Sequence, residues 1–461
     1  MLFRNRLLLT RYIFKWDIDL RKKPPYLTDN SNPIALLISI FFPPEIGGRA
    51  TGAWNRGIIL NKMGFSVFVL CGFPSYPSGR VSDAKYKGKF FIVEKLEPFV
   101  VIRLRLLPIK YEGFPRHFAI FVNFIFLSLL YLPAILNLTG KIDLVYARAP
   151  IIFSSFIGFV YSSITRTFFI YEAPDLWPEE LVVFRSIFSP FVERFGRILA
   201  KISYSIPDII ITIGELAAER IINEYRPKIR VYPIPIGVDP KIFSNLPQKN
   251  SRDELLKKNI LPSELECKFI VFYSGLISTA QKVETLLYAA DKLKLDKEIC
   301  ILIIGDGPEK NRLEELKSKK GLENVYLLSP QPRSLMPLII SAVDVCAISL
   351  SPEPIFSIAV PSKFYEYLSC CKPLIGICKG ELASIIDINK IGFSVIPEDT
   401  DKLVSIIKEF KNSSELLQTI ENNCHNALQK YSLETIAFNF SDILKKEIKL
   451  YSGKKKTNNG A

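Results

Sequence analysis

Residues 360–376 carry the side chains best suited to chemistry in this chain. Pro361, Ser362 and Lys363 open a predicted helix, Glu366 follows one turn in, and a Lys372-Pro373 step leads into a short apolar strand. Proline suits the first helical position, where unpaired backbone N–H groups can hold an anion, and Lys363 adds a positive charge beside them. Glu366, three residues after Lys363 on one helix face, is spaced to accept hydrogen bonds from two neighbouring ribose hydroxyls. Together these make a grip for a phosphate and a sugar ring. The same spacing also fits a solvated surface glutamate, so the elements around it decide.

Those elements begin with an apolar run over 34–41, a strand ending in Phe42-Pro43-Pro44-Glu45-Ile46-Gly47-Gly48, followed by a helix over 50–63 and a strand over 66–73. This is a βαβ opening with Gly47 and Gly48 at the strand's carboxyl end, the edge at which open α/β sheets bind ligands. A plain turn would use the same glycines. Further strands are predicted over 142–146, 167–171, 209–213 and 230–233. After a charged stretch, 245–266, read as the linker and lead-in to a second domain, strands follow over 268–273, 299–304, 325–328, 345–350, 373–377 and 393–396. Helices fit 283–293, 308–319, 401–410 and the run from 413 to 451. The alternation predicts an α/β chain of two doubly wound, Rossmann-like domains, 33–245 and 246–430, whose carboxyl sheet edges face one cleft. A terminal helix, 431–452, and a disordered tail, 453–461, complete the expected order.

Bulk composition narrows the partners. At 461 residues the chain exceeds one ordinary core, and 48% apolar content excludes general disorder. The 60 Lys and Arg against 46 Asp and Glu give +14, which points to an anionic partner: nucleic acid, phosphorylated metabolite or acidic membrane surface. No basic-aromatic motif of the nucleic-acid kind is present, so nucleic acid is not expected. The eight Cys lie mostly in apolar runs, the two His stand apart, and no paired C-x-x-C occurs. That is the usage of a reduced, cytosol-facing protein with cysteines as small buried hydrophobes and no metal site. Residues 1–32 form a basic arm in which Arg4, Arg6, Arg11, Lys15, Arg21, Lys22 and Lys23 alternate with Leu, Phe and Tyr, a composition suited to an acidic membrane surface. Residues 118–138 carry no charge and reach bilayer length. Strand patterns on both sides of them belong to one sheet, so the expectation is a hydrophobic helix lying in the membrane interface, with a buried core helix and a true span as the alternatives. Lys110, Arg116 and Lys141 flank it.

Five stretches join into one pattern. They are Phe41 to Gly48 with Ala50-Thr51-Gly52; Gly72-Phe73-Pro74-Ser75-Tyr76-Pro77-Ser78-Gly79; Asp175-Leu176-Trp177-Pro178-Glu179; the group Tyr273-Ser274-Gly275, Ala280-Gln281-Lys282 and Gly305-Asp306-Gly307-Pro308; and residues 360–376 continued through Lys379-Gly380-Glu381-Leu382-Ala383. Over roughly 34–431 the chain resembles retaining glycosyltransferases of the GT-B group, family 4. Within it, the chain is similar to bacterial and archaeal enzymes that add amino or deoxy sugars to lipid-linked surface glycans, a fucosamine-transferase-like subgroup. The resemblance implies that Gly47 and Gly48 approach the donor diphosphate or the acceptor, and that Asp175 stands at the cleft near the reacting sugar. A helix cap is the other reading of Asp175. It further implies that Gly275, Gly305 and Gly307 admit the nucleotide, that Gln281 and Lys282 belong to the loop holding the diphosphate, and that Ser362, Lys363 and Glu366 grip ribose and phosphate. Arg333 is counted with the nucleotide ligands, as are Gly380, Glu381 and Leu382 at the start of another helix. The catalytic roles fall to Asp175, Lys282 and Glu366. The chain departs from the pattern at Thr279, where the subgroup often has Arg, and at Ile358, where many members carry the first of two Glu eight positions apart.

The reaction so implied is transfer from a nucleoside diphosphate sugar, most often UDP-linked, to a polyprenyl-linked glycan acceptor with retention at the anomeric carbon, without metal or other cofactor. It implies a closing helix that crosses back to the first domain, and a place on the cytoplasmic face of the cell membrane, peripheral or monotopic. The sequence leaves the oligomeric state open. Rival readings are a nucleotide-sugar epimerase on the same architecture and a catalytically weak, membrane-bound subunit, for which Thr279 and Ile358 speak.

Overall fold

In a computed structural model, residues 32–458 are described except 46, 76–78, 82, 110–112, 150–152 and 177–189. The basic arm before residue 32, the middle of the 72–79 loop, and Trp177 to Glu179 lie outside the described residues. Near-continuous Val, Ile, Leu and Phe runs form strands covered on both faces, which is what a parallel sheet between two helix layers demands.

The first half contains β1 (Ile34–Ile38), α1 (Gly48–Lys62), β2 (Ser66–Gly72), β3 (Phe91–Leu96), β4 (Phe99–Leu104), α2 (Gly113–Leu130), α3 (Leu132–Thr139), β5 (Leu144–Arg148), α4 (Phe153–Thr165), β6 (Phe168–Glu172), α5 (Pro190–Ser203), β7 (Ile209–Thr212), α6 (Glu215–Tyr225) and β8 (Arg230–Pro233). The sheet order is β3-β4-β2-β1-β5-β6-β7-β8, parallel throughout except for the β3–β4 pair. That hairpin, Phe91–Leu96 with Phe99–Leu104, lies outside the strands predicted from sequence. It matters for the cleft: Arg103 on β4, fully buried, donates to Glu94 of β3 and to the Pro43 carbonyl, while the Ser75 N–H donates to Glu45 at 2.9 Å. The loop carrying Gly47 and Gly48 is therefore tied down from the sheet edge.

The second half contains α7 (Gln248–Lys257), β9 (Phe269–Leu276), α8 (Glu284–Leu293), β10 (Ile299–Asp306), α9 (Lys310–Lys320), β11 (Val325–Leu328), α10 (Met336–Ala342), β12 (Val345–Ser349), α11 (Ser362–Ser369), β13 (Leu374–Ile377), α12 (Glu381–Asn389), β14 (Gly392–Val395), α13 (Thr400–Asn412), α14 (Ser414–Tyr431) and α15 (Leu433–Asn458). Its sheet, β11-β10-β9-β12-β13-β14, is wholly parallel. The stretch read as linker and lead-in to the second domain, 245–266, holds α7, which packs on this domain: Arg252 donates to the Ala342 carbonyl and pairs with Asp344 at 2.9 Å.

Residues 118–138 are not one helix. α2 and α3 meet at Tyr131 with a bend of 61°, Pro133 standing in the first turn of α3. Among the described residues no single helix is long and apolar enough to cross a membrane. Ile120, Phe121, Phe124, Ala134, Ile135 and Leu138 face the core, whereas Phe118, Val122 and Phe126 are exposed.

The chain passes between the halves at 234–247 and again around Tyr431 to Leu433, where Val238 bridges Ser432. Gly237 sits there at φ +72°, and a Cβ on it would fall 2.5 Å from Ile436 Cδ1 and 3.0 Å from the Tyr431 carbonyl, so only glycine fits. α15 then packs Leu433, Ile436, Ala437, Phe440 and Leu444 against the first domain's core, with Lys62 and Glu434 paired at 2.7 Å. The crossing is gripped by a buried ion network. Arg56 donates to both oxygens of Glu172 (3.2 and 2.9 Å) and to the Ile234 and Pro235 carbonyls, the Tyr146 hydroxyl donates to Glu172 at 2.9 Å, and Asn55 donates to the Gly237 carbonyl at 2.7 Å. Burial alone would push the Glu172 carboxyl up, but Arg56 and Arg148 outweigh it and hold the group below its usual range.

Candidate functional site

α11 begins at an extended Pro361 cap and points its first turn into the cleft between the domains. Ser362 lies opposite the first domain's glycine loop: a Cβ on Gly48 would stand 3.4 Å from its Oγ, while one on Gly47 (φ +133°) would meet open space. Lys363 lays its ammonium 3.8 Å from the centroid of the Tyr273 ring and beside Gly275 (φ +120°), where a Cβ would come within 3.1 Å of Nζ. Burial brings Lys363 down to about 7, with Glu366 opposing. Glu366 is largely buried and its Oε1 accepts from Arg333 Nη1 at 2.9 Å; burial pushes its carboxyl up, and Arg333 and Lys363 act against that rise. Arg333 also donates to Thr51 Oγ1 on α1 at 3.2 Å and stacks 5.1 Å from the Phe243 ring, so one guanidinium joins both domains and the crossing segment.

The other predicted residues have varied placements. Gly305 and Gly307 lie where the carboxyl ends of β9 and β10 run side by side, and a Cβ on either would come within 2.1 Å of the Gly275 or Ile277 carbonyl. Their first task is to let two backbones touch. The loop before α8 is pinned to the end of β12 by the Ser351 N–H to the Ala280 carbonyl (2.8 Å) and the Ser349 hydroxyl to the Lys282 carbonyl (3.3 Å). Within it Gln281 accepts from the Ser278 hydroxyl, and Lys282 has a left-handed backbone, φ +44°. This sets Lys282 at the same sheet edge as Lys363. Gly380, φ +80°, backs onto the Ser357 carbonyl, 2.0 Å from where a Cβ would stand.

Of the remaining predicted residues, Glu381 differs from the expectation in kind. The Leu382 side chain is fully buried in the second domain's core, and the expectation for this residue rests on its backbone N–H in the first turn of α12. Glu381, expected among the nucleotide ligands, sends its carboxylate to the other domain, accepting from the Glu215 N–H at 3.0 Å and the Leu216 N–H at 2.8 Å at the start of α6. Asp175 is half exposed and pairs with Arg49 at 3.8 Å, next to the glycine loop, and Arg49 in turn offers its carbonyl to Arg148 at 3.1 Å. Thr51, Arg49 and Phe243 were not anticipated as site neighbours. The first two sit inside the motif around Gly48, so their position was readable; Phe243 had no local signal. Among the described residues no group of three or more His, Cys, Asp or Glu side chains forms a metal cluster.

The geometry joins a helix N-terminus facing a glycine loop, two lysines, and a carboxylate held by an arginine, at facing sheet edges. Residues 256–426 match the model of the family described as "Glycosyl transferases group 1". WcaI of Escherichia coli K12, named for glycosyl transfer in colanic acid biosynthesis, is 30% identical over 102 residues, 22% of this chain and 25% of that protein. The chain's matches span a quarter to about three fifths of the length of the curated relatives it matches. Among solved structures, the sucrose-phosphate synthase of Thermosynechococcus elongatus is similar with a TM-score of 0.70 at 19% identity, covering 92% of this chain and all of that one. HepE of Anabaena, solved with UDP, has a TM-score of 0.64 at 18% identity, covering 90% of this chain and all of that one. These similarities show an α/β fold of the GT-B kind, with two parallel sheets.

Proposed function

We propose that this protein is a glycosyltransferase that moves a sugar from a nucleoside diphosphate sugar, UDP-linked, to a hydroxyl of a lipid-linked surface glycan, with retention at the anomeric carbon. The observation that carries the reading is the approach of Gly48 in one domain to Ser362 in the other, with Lys363 and Glu366 on the same helix start and Arg333 joining Glu366 to Thr51 across the cleft. In this reading the diphosphate lies between the α11 N-terminus, Lys363 and Lys282, and the ribose hydroxyls reach Glu366. As the glycosidic bond breaks, negative charge gathers on the departing phosphate, and preformed N–H groups and ammonium groups stabilise it more than the bound donor. The acceptor hydroxyl enters from the side of Asp175 and Arg49 and attacks the same face from which the phosphate leaves, giving its proton to that phosphate. UDP is favoured as the nucleotide because HepE, on the same fold, was solved with UDP, and a surface-glycan acceptor because WcaI is named for colanic acid biosynthesis.

A lipid-linked acceptor calls for a membrane surface, and the first domain has a face suited to one. Phe118, Val122 and Phe126 of α2, Phe156, Phe159 and Ile164 of α4, and Phe195, Ile198 and Ile202 of α5 are exposed. Arg194, Arg197 and Lys201 interleave with the last three, a pattern that fits anionic headgroups. Attachment from the cytoplasmic side, without a span, follows in this reading.

The test is transfer itself. Purified protein incubated with labelled UDP-sugars and a lipid extract should move label into the organic phase in a UDP-sugar-dependent way. Tight UDP binding with neither transfer nor hydrolysis would overturn the reading in favour of a non-catalytic subunit. Release of an epimerised UDP-sugar without lipid would favour the epimerase.

A further inference from the structure

We propose that Glu381, together with Ile358, is an interdomain clasp that holds the cleft closed. Both residues belong to the second domain and both are buried against the first. The Glu381 carboxylate spends one oxygen on the Glu215 N–H and the other on the Leu216 N–H, the first two free donors of α6, whose cap residue, Gly214, has no side chain to offer. A carboxylate stabilises such a helix start through both charge-assisted hydrogen bonding and the helix dipole. Here it comes from the opposite domain, so the bonds exist only while the domains are closed. Ile358, at the position where the resembled family often carries a carboxylate, packs into the first domain's core beside it. Gly214 completes the fit: a Cβ there would fall 2.6 Å from Glu381 Cδ and 2.7 Å from Oε1. Its backbone, φ −138° and ψ 170°, is open to any residue, so the missing side chain answers to the carboxylate and not to backbone strain.

The clasp deepens the proposed function and leans on it only for the catalytic readout. The protein supplies this bridge from its own side chains, and it brings Gly48 to Ser362 without relying on a donor to span the cleft. Glu381 is accordingly a positioning residue, acting on the site through domain closure.

The test is a double-mutant cycle between the domains. One dye goes on Cys267, the exposed native cysteine, and one on a cysteine introduced at Lys141 in the first domain. Energy transfer between the dyes reports the ratio of open to closed molecules. Glu381→Ala should raise that ratio about tenfold, the effect of one lost helix cap. Gly214→Ala should do the same from the other side, because its methyl displaces the carboxylate. In the Glu381→Ala background Gly214→Ala should add nothing, the clash having gone. Glu381→Gln, which keeps the shape and one acceptor, should recover part of the closed population. Affinity for UDP should stay within threefold in all four, while kcat for transfer falls in the two single alanine variants and, to the same extent as in Glu381→Ala, in the double. Melting curves confirm that each variant is folded. Unchanged energy transfer in both single variants, or additive effects in the double, would overturn the clasp. So would a loss of UDP affinity above tenfold in Glu381→Ala alone, which would make Glu381 a ligand. Because energy transfer needs no turnover, the clasp can be supported or overturned even in a protein without transferase activity.

Discussion

Replacing Glu366 by Ala should weaken UDP binding by about 30- to 150-fold. The figure follows from the site. One carboxylate oxygen already accepts from Arg333 at 2.9 Å, and two ribose hydroxyls would add two charge-assisted hydrogen bonds of ~1.5–3 kcal/mol each. Against that gain stands the desolvation that pushes the Glu366 carboxyl up, so the net loss on truncation is about 2–3 kcal/mol, which converts to the stated range. Stability should change little, because the Arg333 guanidinium left behind is 54% exposed and returns to water. Calorimetric titration with UDP and with 2′-deoxy-UDP isolates the contact. The native protein should prefer UDP about tenfold, and Glu366→Ala should bind both equally. If Glu366→Ala still prefers UDP as strongly as the native chain does, Glu366 does not hold the ribose and the site has been misread.

Further outcomes follow from other parts of the molecule. Lys363, brought by burial to about 7, gains its proton when a diphosphate arrives. Affinity for UDP-glucose, whose diphosphate does not titrate near neutrality, should therefore be level below pH 7 and fall as pH rises above it. In Lys363→Met binding should be weaker and flat from pH 6 to 9, and an unchanged slope would refute the assignment. Glu172→Gln leaves Arg56 and Arg148 without their buried counter-charge and should cost ~3–5 kcal/mol in denaturant unfolding, with loosening at the Ile234 and Pro235 crossing. Since the folded Glu172 carboxyl lies below its ordinary range, its stabilisation is present above the unfolded value of about 4.3 and is lost as pH falls through the lower folded value. Charge placed on the apolar face, as Phe126→Asp, Phe159→Asp and Ile198→Asp together, should lower co-sedimentation with vesicles containing phosphatidylglycerol at least tenfold and leave UDP binding intact; equal sedimentation would remove the membrane face.

Much of the architecture was legible because it depends on local chemistry. Buried parallel strands need unbroken apolar runs, and the twelve strands predicted all fall on strands of the structure. The β3–β4 hairpin is not legible in the sequence because its residues lack the β-then-α alternation of the other strands; β3 carries Glu94 and Lys95 in an edge position. Two helices in place of one at 118–138 trace to Pro133, whose ring breaks the hydrogen-bond ladder. Apolar content said that this segment was buried in something; only the packing showed that one face of it is the sheet's own cover.

For the site, sequence sufficed where the chemistry is written in consecutive residues. Pro361, Ser362, Lys363 and Glu366 must share a helix start, and Gly47 and Gly48 must end a strand, because backbone geometry alone sets those relations. It did not suffice where a side chain chooses between two domains. Glu381 reads as a ligand at a helix start and acts as a cap 166 positions away. Arg333 joins Glu366 to Thr51 across 282 positions. Leu382 reads as part of the same motif and is swallowed by the core. Spacing along the chain specifies which groups are presented at a sheet edge; which of them meet depends on how two separately folded domains dock, and that docking is decided by shape and charge summed over both surfaces.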